Sequence, residues 1–219
     1  MKLAIDTAGP VCSVALCHAD RVYTRRSHEP RAHARHVLGL VDAVCRAANA
    51  QLAQVDTLLF GEGPGGLTGV RVAASVVQGF ALALGARVVA VNNLDALATR
   101  IAHGLAPRTQ LVLIQDAGAG SVCVRPYMVN DARAPNPTAQ LEVTEPDAVA
   151  LPGGPLVVAG GASDRVSLPS AAGWFEGRPT WAEARDLLSA LDGGLARYVA
   201  PELAQPLYVR HPVDATITL

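Results

Sequence analysis

His33 and His36 stand three residues apart, so on a helix they would share one side, as a pair of metal ligands must. No third ligand accompanies them. The four cysteines, Cys12, Cys17, Cys45 and Cys123, form no C-x-x-C and take no zinc-type spacing with histidine. No metal is expected, and the plainer reading of the pair is a helix surface or an interface. The segment GEGPGGLTGVR, residues 61–71, joins an apolar run to a long helical one. Its backbone N–H groups could face an anion. It is not a Walker A loop, because no lysine follows the glycines. The plainer reading is a tight connection, with Gly relieving backbone strain and Gly69 permitting close packing. Residues 25–36 carry four Arg, three His and one Glu, which could touch RNA phosphates or form a solvated loop. No Ser-His-Asp or H-E-x-x-H pattern suggests a peptidase.

The elements that must position these residues follow from periodicity. Residues 2–6, 11–17 and 21–24 read as three strands joined by tight turns, an antiparallel meander. A helix over 31–50 carries the stripe Val37, Leu40, Val41, Val44 and Ala48. Residues 55–60 read as a strand ending in the loop 61–66. In the helix 67–84, Thr68, Arg71, Ser75 and Gln78 project within roughly 80° of one another, and nearly everything else is apolar or small. Such a helix must be covered on more than one side. A strand over 87–91 and a helix over 94–102 complete a β-β-β-α-β-α-β-α order, which implies a mixed sheet with helices on its faces.

The second half reads less regularly. Residues 111–115 and 122–127 look like a strand pair, 131–137 a loop and 155–159 a strand. Thr180-Trp181-Ala182-Glu183 reads as a capping box opening a helix to Tyr198. A linker over 201–206 and a last strand over 207–210 follow. The β-β-then-α order restarts near Leu111, as if a shortened related unit began there. That divides the chain into 1–105 and 106–219. Trp174 and Trp181 read as packing anchors.

Composition narrows the function classes. The chain has 219 residues, half of them hydrophobic and 17% charged, with net charge −1 and a pI near 6.6. A sizeable core is implied, and a body that is basic throughout is excluded. Asp6 interrupts the first apolar stretch too early for a signal-peptide core, and the longest apolar run, 79–86, is short for a membrane span. Unpatterned cysteines point to a reducing, cytoplasmic compartment. Arg dominates the basic residues, with Lys2 the lone Lys; this bias carries no functional weight.

GPGGLTGVRVA closely resembles the GPGSFTGLRIG signature of the TsaB (YeaZ) family, a subunit of the machinery that makes threonylcarbamoyladenosine in tRNA. The resemblance runs almost end to end: LAIDTAGPVCSVAL to the family's opening strand pair, HARHVLGLVD to its first helix, VNNLDALA to its V-S-S/T-L-x-A-L-A, IQDAGAGSVCVRPY to its hairpin and PLYVR to its P-x-Y-L/V-R. Gly39 departs from the usual Pro, Gly118 from the usual Arg and Ser121 from the usual Glu.

The resemblance implies an α/β fold of the actin/Hsp70/sugar-kinase type (ASKHA), built from two RNase H-like units with the second reduced. It implies a non-catalytic subunit that pairs with TsaD, its threonylcarbamoyl-transferring relative, or with itself, and is joined by the ATPase TsaE; tRNA is reached through that complex. The implied interface comprises His33, His36, Val37, Leu40, Val41 and Val44 of the first helix, with Leu67, Thr68, Val70, Arg71, Ala74, Val77 and Gln78 of the second. Gly69, Ala73, Ala74 and Gly79 would let backbones approach. It also implies a vestigial nucleotide site: Asp6 and Thr7 in the first phosphate loop, Gly63 and Gly65 in the glycine-rich loop, Asp116 in the second phosphate loop, and Gly160 and Gly161 in the adenosine loop. A strand-end Asp also commonly caps a turn. No cofactor is expected beyond weak ATP or ADP binding. An active ASKHA phosphotransferase is the competing reading.

Overall fold

The computed structural model describes residues 1–132, 134–167, 173–174 and 179–209. The chain divides into two compact units, residues 1–96 with 182–207, and residues 97–181 with 208–219. The stretch 182–207, which a cut near residue 105 would assign to the second half, lies with the first unit.

In the first unit, β1 (Lys2–Asp6), β2 (Cys12–His18) and β3 (Arg21–Ser27) form the expected meander. Ala19 and Asp20, both at positive φ, make its second turn. After α1 (His33–Ala47), β4 (Thr57–Gly63) lies parallel to β1. β4 runs three residues beyond the expected strand end, through Gly61-Glu62-Gly63. α2 (Leu67–Leu84) ends at Gly85, in the left-handed region with φ 64°, and β5 (Arg87–Asn92) lies parallel to β4. α3 (Asn93–Ala102) follows.

The second unit is built on the hairpin of β6 (Gln110–Gly118) and β7 (Ser121–Val129). The short strands β8 (Pro135–Pro137) and β9 (Glu142–Thr144) both pair with β7, where the sequence suggested only a loop over 131–137. β10 (Leu156–Ala159) and β11 (Gly173–Trp174) extend the sheet in parallel beyond β6. Val112, Ile114, Val122, Val124, Leu156 and Val158 form the core of one face.

α4 (Ala184–Asp192) and β12 (Ala196–Val199) return to the first unit. The helix starts later than expected because Glu183, not Thr180, is its N-cap: the Glu183 N–H donates to Asp186 Oδ2 at 2.8 Å. It stops before Gly193-Gly194, and β12 pairs antiparallel with β5, so Tyr198 is on a strand rather than a helix. The first sheet therefore runs β12-β5-β4-β1-β2-β3. Residues 207–209 form no strand, and Arg210 and the Trp174 side chain lie outside the described residues.

Side-chain alternation assigns the faces of this sheet. Leu3, Ile5, Val14, Leu16, Leu58, Phe60, Val88 and Ala90 point to α1 and α2 and form the main core with them. The opposite face carries Lys2, Ser13 and Arg26, which reach Asp192, the Ala184 N–H and Glu183 of α4. By length and a mean hydropathy of 1.5, α2 would pass for a membrane span. It packs on the main core through Ala73, Ala74, Val77 and Ala81, with about a third of its residues buried.

Candidate functional site

The glycine-rich segment is explained by chain packing against chain. Thr7 Oγ1 donates to the Gly69 carbonyl at 2.7 Å, and the Gly66 N–H donates to the Ala8 carbonyl at 2.8 Å. The turn after β1 is thereby fastened onto the first turn of α2. A Cβ on Gly69 would lie 1.9 Å from the Thr7 carbonyl oxygen, and one on Gly65 would lie 2.6 Å from that of Ala8. These glycines are required by backbone approach within the unit.

Asp6 is fully buried at the end of β1. Asn93 Nδ2 donates to its Oδ1 at 2.7 Å, and Asn93 Oδ1 accepts the Gly63 N–H at 2.8 Å, so one amide ties the ends of β1 and β4. A Cβ on Gly61 would meet Asp6 Oδ1 at 2.2 Å, which explains why a glycine persists inside β4. Burial pushes the Asp6 carboxyl up from 3.8 to about 7; the Asn93 amide and the nearby Ala8 N–H oppose that shift only in part. Asp6 Oδ2 has no hydrogen-bond partner among the described residues. The carboxylate placed in the first phosphate loop is thus fully buried and held by Asn93.

In the second unit, Gly160 and Gly161 have a similar explanation. A Cβ on Gly160 would lie 2.1 Å from the Ile114 carbonyl oxygen, and one on Gly161 would lie 2.6 Å from Gln115 Oε1 and 3.0 Å from Trp181 Nε1. Trp181 is therefore a packing residue. Asp116 is paired with Arg165 at 2.8 Å, and Arg165 also binds the carbonyls of Gly120 and Ser121, fastening the hairpin tip. Gly118 is exposed and Ser121 is buried. The residues expected to form a nucleotide site thus fall into two groups, Asp6, Thr7, Gly63 and Gly65 in one unit, and Asp116, Gly160 and Gly161 in the other.

The histidine pair is engaged within the chain. His36 Nε2 meets Glu29 Oε2 at 2.6 Å, Glu29 also binds Arg35, and the His33 carbonyl accepts the Cys12 thiol. Among the described residues, no three His, Cys, Asp or Glu side chains converge as metal ligands. The four cysteines are free, and burial pushes the thiols of Cys12 and Cys123 up to about 11 and about 12.

The thirteen residues expected at a partner surface divide sharply. Val37, Val41, Val44, Val70, Ala74 and Val77 are at most 3% exposed, and all but Val70 belong to the core the helices form with the sheet. Leu40 is half-buried against the same core. Leu67, Thr68 and Arg71 are exposed, and His33, His36 and Gln78 are partly so. Leu38, Val72 and Val76, absent from that set, complete the accessible face. Leu38 is 55% exposed, and with Ala34, Thr68, Arg71, Val72 and Val76 it lines an open groove of about 360 Å³ between α1 and α2. Leu38 could have been found one residue off the core stripe of α1. Gly79 is exposed and has open space above it, so it remains available for close approach, unlike Gly69.

Residues 26–162 match the family model described as TsaD, tRNA N6-adenosine threonylcarbamoyltransferase. The tRNA threonylcarbamoyladenosine biosynthesis proteins TsaB of Haemophilus influenzae and Escherichia coli are 38% and 35% identical over 96 residues. These matches cover 44% of this chain and 41% and 42% of those proteins, so the chain matches about two fifths of the length of these curated relatives. The solved structure of YeaZ from Pseudomonas aeruginosa superposes with a TM-score of 0.81 at 32% identity, over 95% of this chain and 99% of that one. A second structure, described as an uncharacterized protein with similarity to peptidase YEAZ from the same organism, gives 0.82 at 33% identity, with the same shares of the two chains. The mixed α/β architecture with its two sheets is thus ASKHA-like, and the chain belongs to the TsaB/YeaZ family.

Proposed function

We propose that this chain is a non-catalytic subunit in the formation of threonylcarbamoyladenosine in tRNA, acting by binding a TsaD-type catalytic partner. One observation carries this reading: the groove between α1 and α2 presents uncovered apolar side chains beside Thr68 and Arg71. Leu38 and Leu67 are more than half exposed beside the groove lined by Val72 and Val76. Contiguous exposed apolar surface of this kind marks an interaction site. The relatives named TsaB supply the reaction, and the TsaD family model, which spans β3 to β10, fits a partner of related fold. In this reading the chain is two RNase H-like units, the second reduced. It works in the cytoplasm, pairs with TsaD, is joined by TsaE, reaches tRNA in that complex, and forms a homodimer when alone.

Such a subunit raises its partner's rate only by binding the partner's active conformation more tightly than its inactive one. An ATPase or phosphotransferase reading would need Asp6 to hold Mg²⁺ and phosphate, and that carboxylate is sealed under Asn93 and Gly61. The test is reconstitution with the adenylate-forming enzyme, TsaD, TsaE, unmodified tRNA, threonine, bicarbonate and ATP. Omission of this chain should abolish transfer; transfer unchanged without it refutes the proposal.

A further inference from the structure

Between residues 21 and 36 the sequence carries five arginines and one carboxylate, Glu29, in a chain whose net charge is −1. The fold sorts these charges. Glu29 is occupied by Arg35 and His36, and Arg26 reaches Glu183. Arg21, Arg25 and Arg31 are exposed and meet no carboxylate among the described residues. Among the described residues, the Arg25 side chain donates to the Thr24 carbonyl at 2.8 Å.

Their placement is as informative as their lack of partners. β3 is the open edge of its sheet and pairs only with β2. Arg21 and Arg25 are four positions apart on it, so they share a face at a separation of about 13 Å. Arg31 lies in the turn before α1, with φ 58°. Val22, 41% exposed, is the large apolar side chain exposed on this strip, and it alternates to the strand face opposite Arg21 and Arg25; Tyr23 between those two packs on the core, so the arginine face offers no exposed aromatic or aliphatic anchor. A protein interface of useful affinity needs such an anchor at its centre. A phosphate backbone does not, because neutralising its charges and releasing its counterions suffices. Guanidinium forks stay charged at any working pH and match phosphate oxygens in pairs.

We propose that the β3 edge and the turn after it hold RNA phosphates through Arg21, Arg25 and Arg31. The chain would then touch the tRNA itself rather than reaching it only through a partner. The choice of tRNA rests on the function proposed above; the recognition is of a polyanionic backbone and carries no sequence specificity.

The test is binding of a fluorescent, unmodified tRNA transcript to the full chain between 50 and 200 mM NaCl, for wild type and for the triple variant R21Q/R25Q/R31Q. Each phosphate contact adds about 0.7 to 0.9 to the slope of log K against log salt, so the variant's slope should be shallower by about 2 to 3. Its affinity at 50 mM NaCl should fall at least about tenfold. All three side chains are exposed, so the thermal midpoint should not move. An unchanged slope, or no binding by wild type at 50 mM NaCl, overturns the proposal. So does intact tRNA binding with weakened TsaD binding, which would assign the arginines to an acidic protein surface. Loss of the salt slope together with transfer that does not need the chain would sink the functional reading and leave this one standing.

Discussion

Replacing Asp6 by Asn should make the protein more stable at pH 8 and leave it nearly unchanged at pH 4. The carboxyl is fully buried and held at about 7, against an ordinary value of 3.8. A carboxyl raised in the folded state binds its proton more tightly there than in the unfolded chain. Stability is therefore fully present below about pH 4 and is lost as the pH rises towards 7. Roughly three units at 1.36 kcal/mol each put that loss at about 4 kcal/mol. Asn never ionises. Its carbonyl can keep the bond from Asn93, and its amide replaces an oxygen that has no partner among the described residues. The assay is urea unfolding of wild type and Asp6→Asn, followed by circular dichroism from pH 4 to pH 8, with the difference between the two proteins isolating this one group. A difference that stays flat across that range would refute the assignment of Asp6 as a buried, largely protonated carboxyl near neutrality.

Two glycine substitutions should act in opposite directions. Gly69→Ala places a methyl 1.9 Å from the Thr7 carbonyl and should cost several kcal/mol or prevent folding, read as a lost cooperative melt. Gly39→Ala has open space around it on the exposed side of α1 and should stabilise by about 0.5 to 1 kcal/mol, read as a higher thermal midpoint.

Much of the first unit was legible because its punctuation is local. Gly66 and Gly85 bracket α2, whose bounds the sequence reading matched, and the short apolar runs of β1 and β2 lie between turn residues. What was missed depends on partners distant in sequence. Gly61 to Gly63 reads as a loop until Asp6 and Asn93 are seen to exclude a side chain at Gly61. β12 is four residues whose strand character comes from pairing with β5, about a hundred positions earlier in the chain. β8 begins and ends in proline, and pairing with β7 alone reveals it. In the candidate site, periodicity found both helices, but six of the residues it offered for contact are buried within the chain itself. The most regular apolar stripe is the one the sheet consumes, and Leu38, outside it, stays exposed.

The proposed docking is tested most directly by calorimetric titration of this chain with a TsaD protein, comparing wild type and Leu38→Arg. Leu38 points outward, so the variant should melt like wild type. Burying a guanidinium in an apolar contact should weaken binding by about 3 kcal/mol, or roughly a hundredfold. An equal Kd for the two proteins would place the partner elsewhere and contradict the account.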